Sequence, residues 1–204
     1  MGTNLFLIHG AFCSRHSFNF IIKKVLDDRH IGRIYCFEYF IQSECIENVV
    51  ERAQTELAKI TEKNGLDTVI VGHSLGGLIS LRLSQQSNIK KTITLSAPLS
   101  GLKYNIWLAS LLSWHAPTLK DISPHSNFIS ALHKEDYSRN PIEILVTTNG
   151  YNPMITEEND GVITVDAQTR WQPTGAKIVN CPINHNEILQ SAEALLAIER
   201  ALQE

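Results

Sequence analysis

The stretch Val69-Ile70-Val71-Gly72-His73-Ser74-Leu75-Gly76-Gly77-Leu78 constrains this chain more than any other. A short β-branched run passes through Gly-x-Ser-x-Gly into residues that read as a helix, and a sharp strand-to-helix turn is the context in which that spacing carries chemistry. A serine at such a turn sits in a strained backbone conformation, so the residues two before and two after it must be small. Here they are Gly72 and Gly76. The turn lifts the Ser74 hydroxyl above the sheet end. The Leu75 N–H, at the positive end of the following helix, is then free to donate to a developing oxyanion. The stretch reads as a nucleophile elbow carrying half an oxyanion hole.

The rest of the chain is compatible with one domain built around this turn. Its 204 residues suffice for a single sizeable core and not for two. With 43% hydrophobic and 19% charged residues it has ordinary globular proportions, and no apolar run is long enough to span a bilayer. A net charge of -3 gives no basic surplus for a nucleic-acid partner, so a small uncharged partner is expected. Met1 to Ile8 is apolar but lacks the cationic start and cleavage site of a secretion signal, which points to the cytoplasm, or to the exterior if a leader has been removed. Cys13, Cys36, Cys45 and Cys181 have no metal-binding or disulfide-framework spacing and read as free, mostly buried thiols.

Strands and helices alternate along the sequence. Asn4 to Ile8 reads as a buried strand ending at His9-Gly10-Ala11, where a second oxyanion donor could arise: Ala11 first, Phe12 second. His9, before a turn glycine, is expected to hold that loop by hydrogen bonds. A helix over Ser17 to Arg29, a strand over Arg33 to Tyr39 and a long amphipathic helix over Ser43 to Asn64, stopped by Gly65, precede the elbow. The helix after Ser74 is expected to run to about Gln86, and Lys91 to Leu95 is the next strand. Later come a strand at Ile142 to Thr148, a short helix from about Ile163, a strand at Lys177 to Val179 and a last helix from about Glu187. This alternation predicts a mostly parallel sheet between two helical layers. Leu99 to Asn140 breaks the rhythm, and Trp107, Leu108, Leu111, Leu112 and Trp114 crowd it without a matching polar face. It reads either as a lid or cap over the site, with Phe12, Trp107, Leu111 and Trp114 as substrate contacts, or as a packed excursion helix.

A serine hydroxyl needs a base, and an imidazole base needs an acid to fix its tautomer and stabilise its cation. His185, between the last strand and the last helix, can swing over the sheet end. For the acid, Glu157, Glu158, Asp160 and Asp166 are all near in sequence. Asp160 is preferred because Gly161-Val162-Ile163 would anchor it, whereas the two glutamates read as solvated and Asp166 falls within the short helix.

These residues resemble the α/β-hydrolase superfamily and, within it, the small bacterial lipases and esterases. The resemblance rests on Ile8-His9-Gly10, Ser17-Phe18-Asn19-Phe20, Gly72-His73-Ser74-Leu75-Gly76-Gly77, Ser126-Asn127-Phe128-Ile129-Ser130-Ala131-Leu132, Asp160-Gly161-Val162-Ile163 and His185 before Ile188-Leu189, in the family's order. It implies a minimal three-layer α/β/α hydrolase without the first antiparallel strands. Ser74 would be the nucleophile, His185 the base, Asp160 the acid, and the Ala11 and Leu75 amides the oxyanion hole, with no cofactor or metal. The implied activity is hydrolysis of a carboxylic ester or lipid through an acyl-enzyme. A thioesterase, an acyltransferase, or a non-catalytic interaction protein on the same fold are the rivals. The segment at 99–140 is longer than in the smallest lipases, and the oligomeric state is left open.

Overall fold

The computed structural model describes residues 2–103 and 116–204. Its centre is a six-stranded sheet in the order β2-β1-β3-β4-β5-β6, formed by β1 (Thr3–Ile8), β2 (Ile31–Phe37), β3 (Thr68–His73), β4 (Ile89–Leu95), β5 (Ile142–Thr147) and β6 (Lys177–Cys181). Every neighbouring pair is parallel. The inner strands β1, β3 and β5 are buried along their whole length, as strands covered on both faces must be.

Between the strands lie α1 (Asn19–Val25), α2 (Ile46–Asn64), α3 (Leu75–Leu83), α4 (Pro117–Lys120), α5 (Asn127–Leu132), α6 (Val165–Thr169) and α7 (Ala192–Gln203). Two apolar clusters form on the two faces of the sheet. One joins Phe6, Ile8 and Ile70 to α2, α3 and α5; the other joins Leu5, Leu7, Val69, Val71 and Ile93 to α1 and α7. The three-layer arrangement expected from alternation is therefore present, and the sheet is wholly parallel among the described residues.

Several boundaries differ from the sequence reading for local reasons. The first helix opens as a 3-10 turn over Arg15–Phe18 before α1 begins, and the second strand starts at Ile31, where it pairs with Thr3. Ser43 is not helical: its hydroxyl donates to Phe40 O in a preceding turn, and α2 starts after Cys45. Helix α3 stops at Leu83, where the Ser84 hydroxyl donates to the Leu81 carbonyl. The last helical stretch is split into a 3-10 turn at Glu187–Gln190 and α7, because Ser191 takes an extended conformation and caps Ala194 N–H.

Around the break in alternation, Leu99, Leu119, Ile122, Phe128, Ile129 and Leu132 belong to the buried core, so both described flanks of 99–140 are packed structure. Trp107, Leu108, Leu111, Leu112 and Trp114 lie outside the described residues.

Candidate active site

In a parallel α/β sheet the loops after the carboxyl ends of the strands converge on one edge. Among the described residues, the three non-glycine residues with positive φ all sit there: Phe12 (58°) after β1, Ser74 (53°) after β3 and Ser96 (51°) after β4. Left-handed backbone costs a residue with a Cβ on the order of 1–3 kcal/mol, so its clustering at one end marks where packing enforces an unusual shape.

Ser74 combines φ 53° with ψ -120° at the junction of β3 and α3. The glycines around it are required by contact. A Cβ on Gly72 would lie 2.1 Å from Ser80 Oγ and 2.2 Å from Gly76 O, and one on Gly76 would lie 2.2 Å from Ile8 O. The turn thus presses directly on the end of β1. Leu75 opens α3, where first-turn N–H groups have no intrahelical acceptor.

The β1 loop reaches the same place. A Cβ on Gly10 would sit 3.0 Å from Ser74 Cβ and 3.0 Å from His73 Nδ1, so a side chain there would press on both residues. Gly10 O receives the Cys13 N–H at 3.3 Å, and His9 Nδ1 lies 2.8 Å from it. Because a trans peptide is planar, the Ala11 N–H points away from both. His9 is buried, stacks on Tyr39 with ring centroids 4.5 Å apart, and has Nε2 3.4 Å from Glu38 Oε2, a contact not aligned as a hydrogen bond. The Tyr39 hydroxyl donates to His9 O at 2.8 Å. Phe12 is two-thirds exposed.

Asp160 and His185 meet above β5. His185 Nδ1 is 2.7 Å from Asp160 Oδ2, and the His185 backbone N–H donates to Asp160 O at 2.9 Å. Asp160 is fully buried, and its oxygens are occupied. Oδ1 accepts the Val162 and Ile163 N–H groups at 3.0 and 2.9 Å; Oδ2 also accepts the Thr147 hydroxyl at 2.6 Å and Gln168 Nε2 at 3.3 Å. Burial pushes this carboxyl's pKa up, but the hydrogen bond and charge of His185, with the Ile163 and Thr147 donors, outweigh it and hold the group below its ordinary value. Gly150 makes the close approach possible, since a Cβ there would overlap the Asp160 backbone at 1.9 Å.

Of the other acid candidates, Asp166 is on α6, half exposed and paired with Arg170 at 3.0 Å, while Glu157 and Glu158 are exposed. His185 is tied to the serine turn through its carbonyl, which lies 2.9 Å from His73 Nε2. Thr147, Gln168, Ser96 and Gly150 gave no signal in the sequence, since each earns its place only through contacts between distant elements.

A cleft of about 590 Å³ opens beside the Asp160 loop, lined in part by Leu102, Met154, Ile155, Val162 and Ile163. No helix among the described residues is long and apolar enough to cross a membrane.

No family model and no curated protein matches the sequence. Solved structures do match over nearly the whole chain. The mature lipase BlEst2 of Bacillus licheniformis superposes with a TM-score of 0.76 at 14% identity, covering 98% of this chain and 92% of that one. A monoacylglycerol lipase of Paleococcus ferrophilus gives 0.69 at 20% identity, with 100% and 96% covered. The phospholipase PlaB of Legionella pneumophila gives 0.75 at 14% identity; it matches 99% of this chain, which spans 60% of PlaB's length. The chain has the α/β-hydrolase fold that these structures share.

Proposed function

We propose that the protein is a serine hydrolase of carboxylic esters, with Ser74 as nucleophile, His185 as general base and Asp160 as the acid that orients it. One observation carries this reading: the buried Asp160–His185 pair, 2.7 Å apart, is bonded through the His185 carbonyl to the residue next to Ser74, and Ser74 holds a strained left-handed turn at a helix start. With Nδ1 committed to Asp160, the lone pair for chemistry is on Nε2. Ser74 Oγ adds to the ester carbonyl carbon while its proton passes to His185 Nε2. The carbonyl oxygen becomes an oxyanion served by the Leu75 and Ala11 N–H groups. Collapse expels the alcohol, which takes the proton from Nε2, and water then repeats the sequence on the acyl-enzyme.

The test is a fluorophosphonate label read by mass spectrometry, run beside p-nitrophenyl esters of graded chain length and acyl-thioesters. Label on Ser74 is expected, with Ser74→Ala and His185→Ala each abolishing turnover and the double variant little worse, because such residues act as a unit. Additive losses, or label on another residue, would overturn the assignment. Faster thioester than ester turnover would move the substrate class and leave the residues in their roles.

A further inference from the structure

His73 is next to Ser74 at the end of β3, and its side chain is buried between two loops. A carbonyl oxygen only accepts, so the 2.9 Å contact with His185 O requires the proton on His73 Nε2. Burial, reinforced by the neighbouring His185 charge, pushes the His73 pKa down to about 3, and the ring is neutral at any working pH. Its single proton is therefore spent on His185, and Nδ1 is a bare acceptor. Among the described residues no donor reaches Nδ1, which instead faces the Cα of Gly10. A buried nitrogen without a partner is unfavourable, and a hydrocarbon ring of the same shape would avoid that cost.

His185 is fixed to Asp160 twice, by its backbone N–H and its ring. Those bonds lock base to acid, and Thr147 and Gln168 hold the acid to β5 and α6, but none of them reaches the serine turn itself. Ser96 Oγ approaches His185 O only at 3.5 Å. The His73 bond is short, and it comes from the residue covalently attached to Ser74. With His73 and His185 ring centroids 4.9 Å apart, it ties the base loop to the serine turn across a single side chain.

We propose that His73 is a positioning residue, whose Nε2–H bond to the His185 carbonyl sets the distance between the His185 imidazole and Ser74. This rests on the reading of Ser74 as nucleophile and His185 as base. His73 does not itself move a proton in the reaction, since its donor is engaged and its acceptor faces Gly10.

The experiment compares His73→Phe, which keeps the ring's bulk and loses the donor, with His73→Gln, whose side-chain amide can still reach the carbonyl. For each, the rate of fluorophosphonate labelling at Ser74, kcat and KM for a p-nitrophenyl ester, the melting temperature, and the low-field NMR signal of the His185 Nδ1 proton are measured. Small displacements of a base lower the chemical step far more than binding, so His73→Phe should lose about ten- to a hundredfold in labelling rate and kcat, with KM within about twofold. Its melting temperature should change little, because losing the unpartnered Nδ1 offsets leaving the His185 carbonyl without its short donor. His73→Gln should stay within about fivefold of the parent. Unchanged labelling in His73→Phe would overturn the proposal, as would equal losses in both variants accompanied by equal falls in melting temperature. If the parent protein itself fails to label, the nucleophile reading falls. The positioning role is then judged by NMR alone, where a His185 signal that is the same in the parent and His73→Phe overturns it.

Discussion

A buried carboxylate meets strand β5 at each of its ends, and the two are satisfied in opposite ways. Beyond its carboxyl end, the last residue of the strand, Thr147, donates to Asp160, whose remaining contacts are backbone N–H groups, one amide and a single titratable partner, His185. At its amino end Glu143, equally buried, is met by three cations from three elements: Lys91 of β4 at 3.3 Å, Lys177 of β6 at 2.9 Å and Arg200 of α7 at 2.8 Å. Burial acts to raise both pKa values, and in both the partners outweigh it and lower them. The difference is in what the negative charge is available to do. Fixed neutral donors hold Asp160 ionised without cancelling its charge, so the charge is felt by the one imidazole it touches. Three cations cancel Glu143 and turn it into a brace between strands and helix.

The largest expected effect separates these roles. Asp160→Asn should lower ester turnover by about 10⁴, the size expected when an imidazole is held in the wrong tautomer, while Glu143→Gln should leave kcat unchanged. Turnover of Asp160→Asn within tenfold of the parent would move the acid elsewhere, and Asp166→Asn is the variant to compare.

Next in size is stability. Glu143→Gln leaves Lys91 with the half-exposed Glu204 as its one carboxylate, and breaking a buried pair on one side costs up to about 3–5 kcal/mol; that remaining partner, and the two cations that can swing into water, reduce this to about 2–3 kcal/mol. Urea unfolding measures it, and a loss below 1 kcal/mol would mean the brace is ornamental. The same variant has a pH signature. A carboxylate whose folded pKa lies below its unfolded value, about 4, contributes stability that is complete above that value and is lost as pH falls through the folded one. The parent should therefore destabilise steeply below about pH 4, and Glu143→Gln should show a shallower fall over that window, with the Asp160 contribution remaining.

The two ends were unequally legible in the sequence. At the carboxyl end, Gly72, Ser74 and Gly76 declare their geometry, because one turn within five residues imposes every constraint. The sequence favours Asp160 over Asp166 as the acid because Gly161-Val162-Ile163 follows it, and in the structure two of those residues supply the N–H groups that hold its Oδ1. Glu143 gave no signal: an acidic residue second in a strand is read as a solvated end, and its cations lie 34 to 57 positions away in sequence. In the sequence His73 is only part of a motif, since its bond to a carbonyl 112 residues later exists only once β3 and the last loop are side by side. Contacts closed within one turn are written in the sequence as spacing, whereas contacts closed by the sheet are not.

The smallest effects probe whether Glu143's cations share one task. Lys177 and Arg200 are both about half exposed and both bond Oε1, whereas Lys91 is 9% exposed, faces Oε2 and also pairs with Glu204 at 3.1 Å. Solvent screening and side-chain entropy leave a half-exposed pair worth about 0.2–1 kcal/mol, so Lys177→Ala and Arg200→Ala should each cost less than about 1 kcal/mol and leave turnover untouched. Because either can serve Oε1 when the other is missing, the double variant should lose more than the sum of the singles. Raising salt to about 1 M, where the screening length is about 3 Å, should shrink both single effects, while Lys91→Ala, stripped of a buried partner, should stay costly. The urea midpoints of these four variants at low and high salt decide it. Additive, salt-insensitive losses at Lys177 and Arg200 would mean that each cation packs independently, and the contrast with Asp160 would then rest on Lys91 alone.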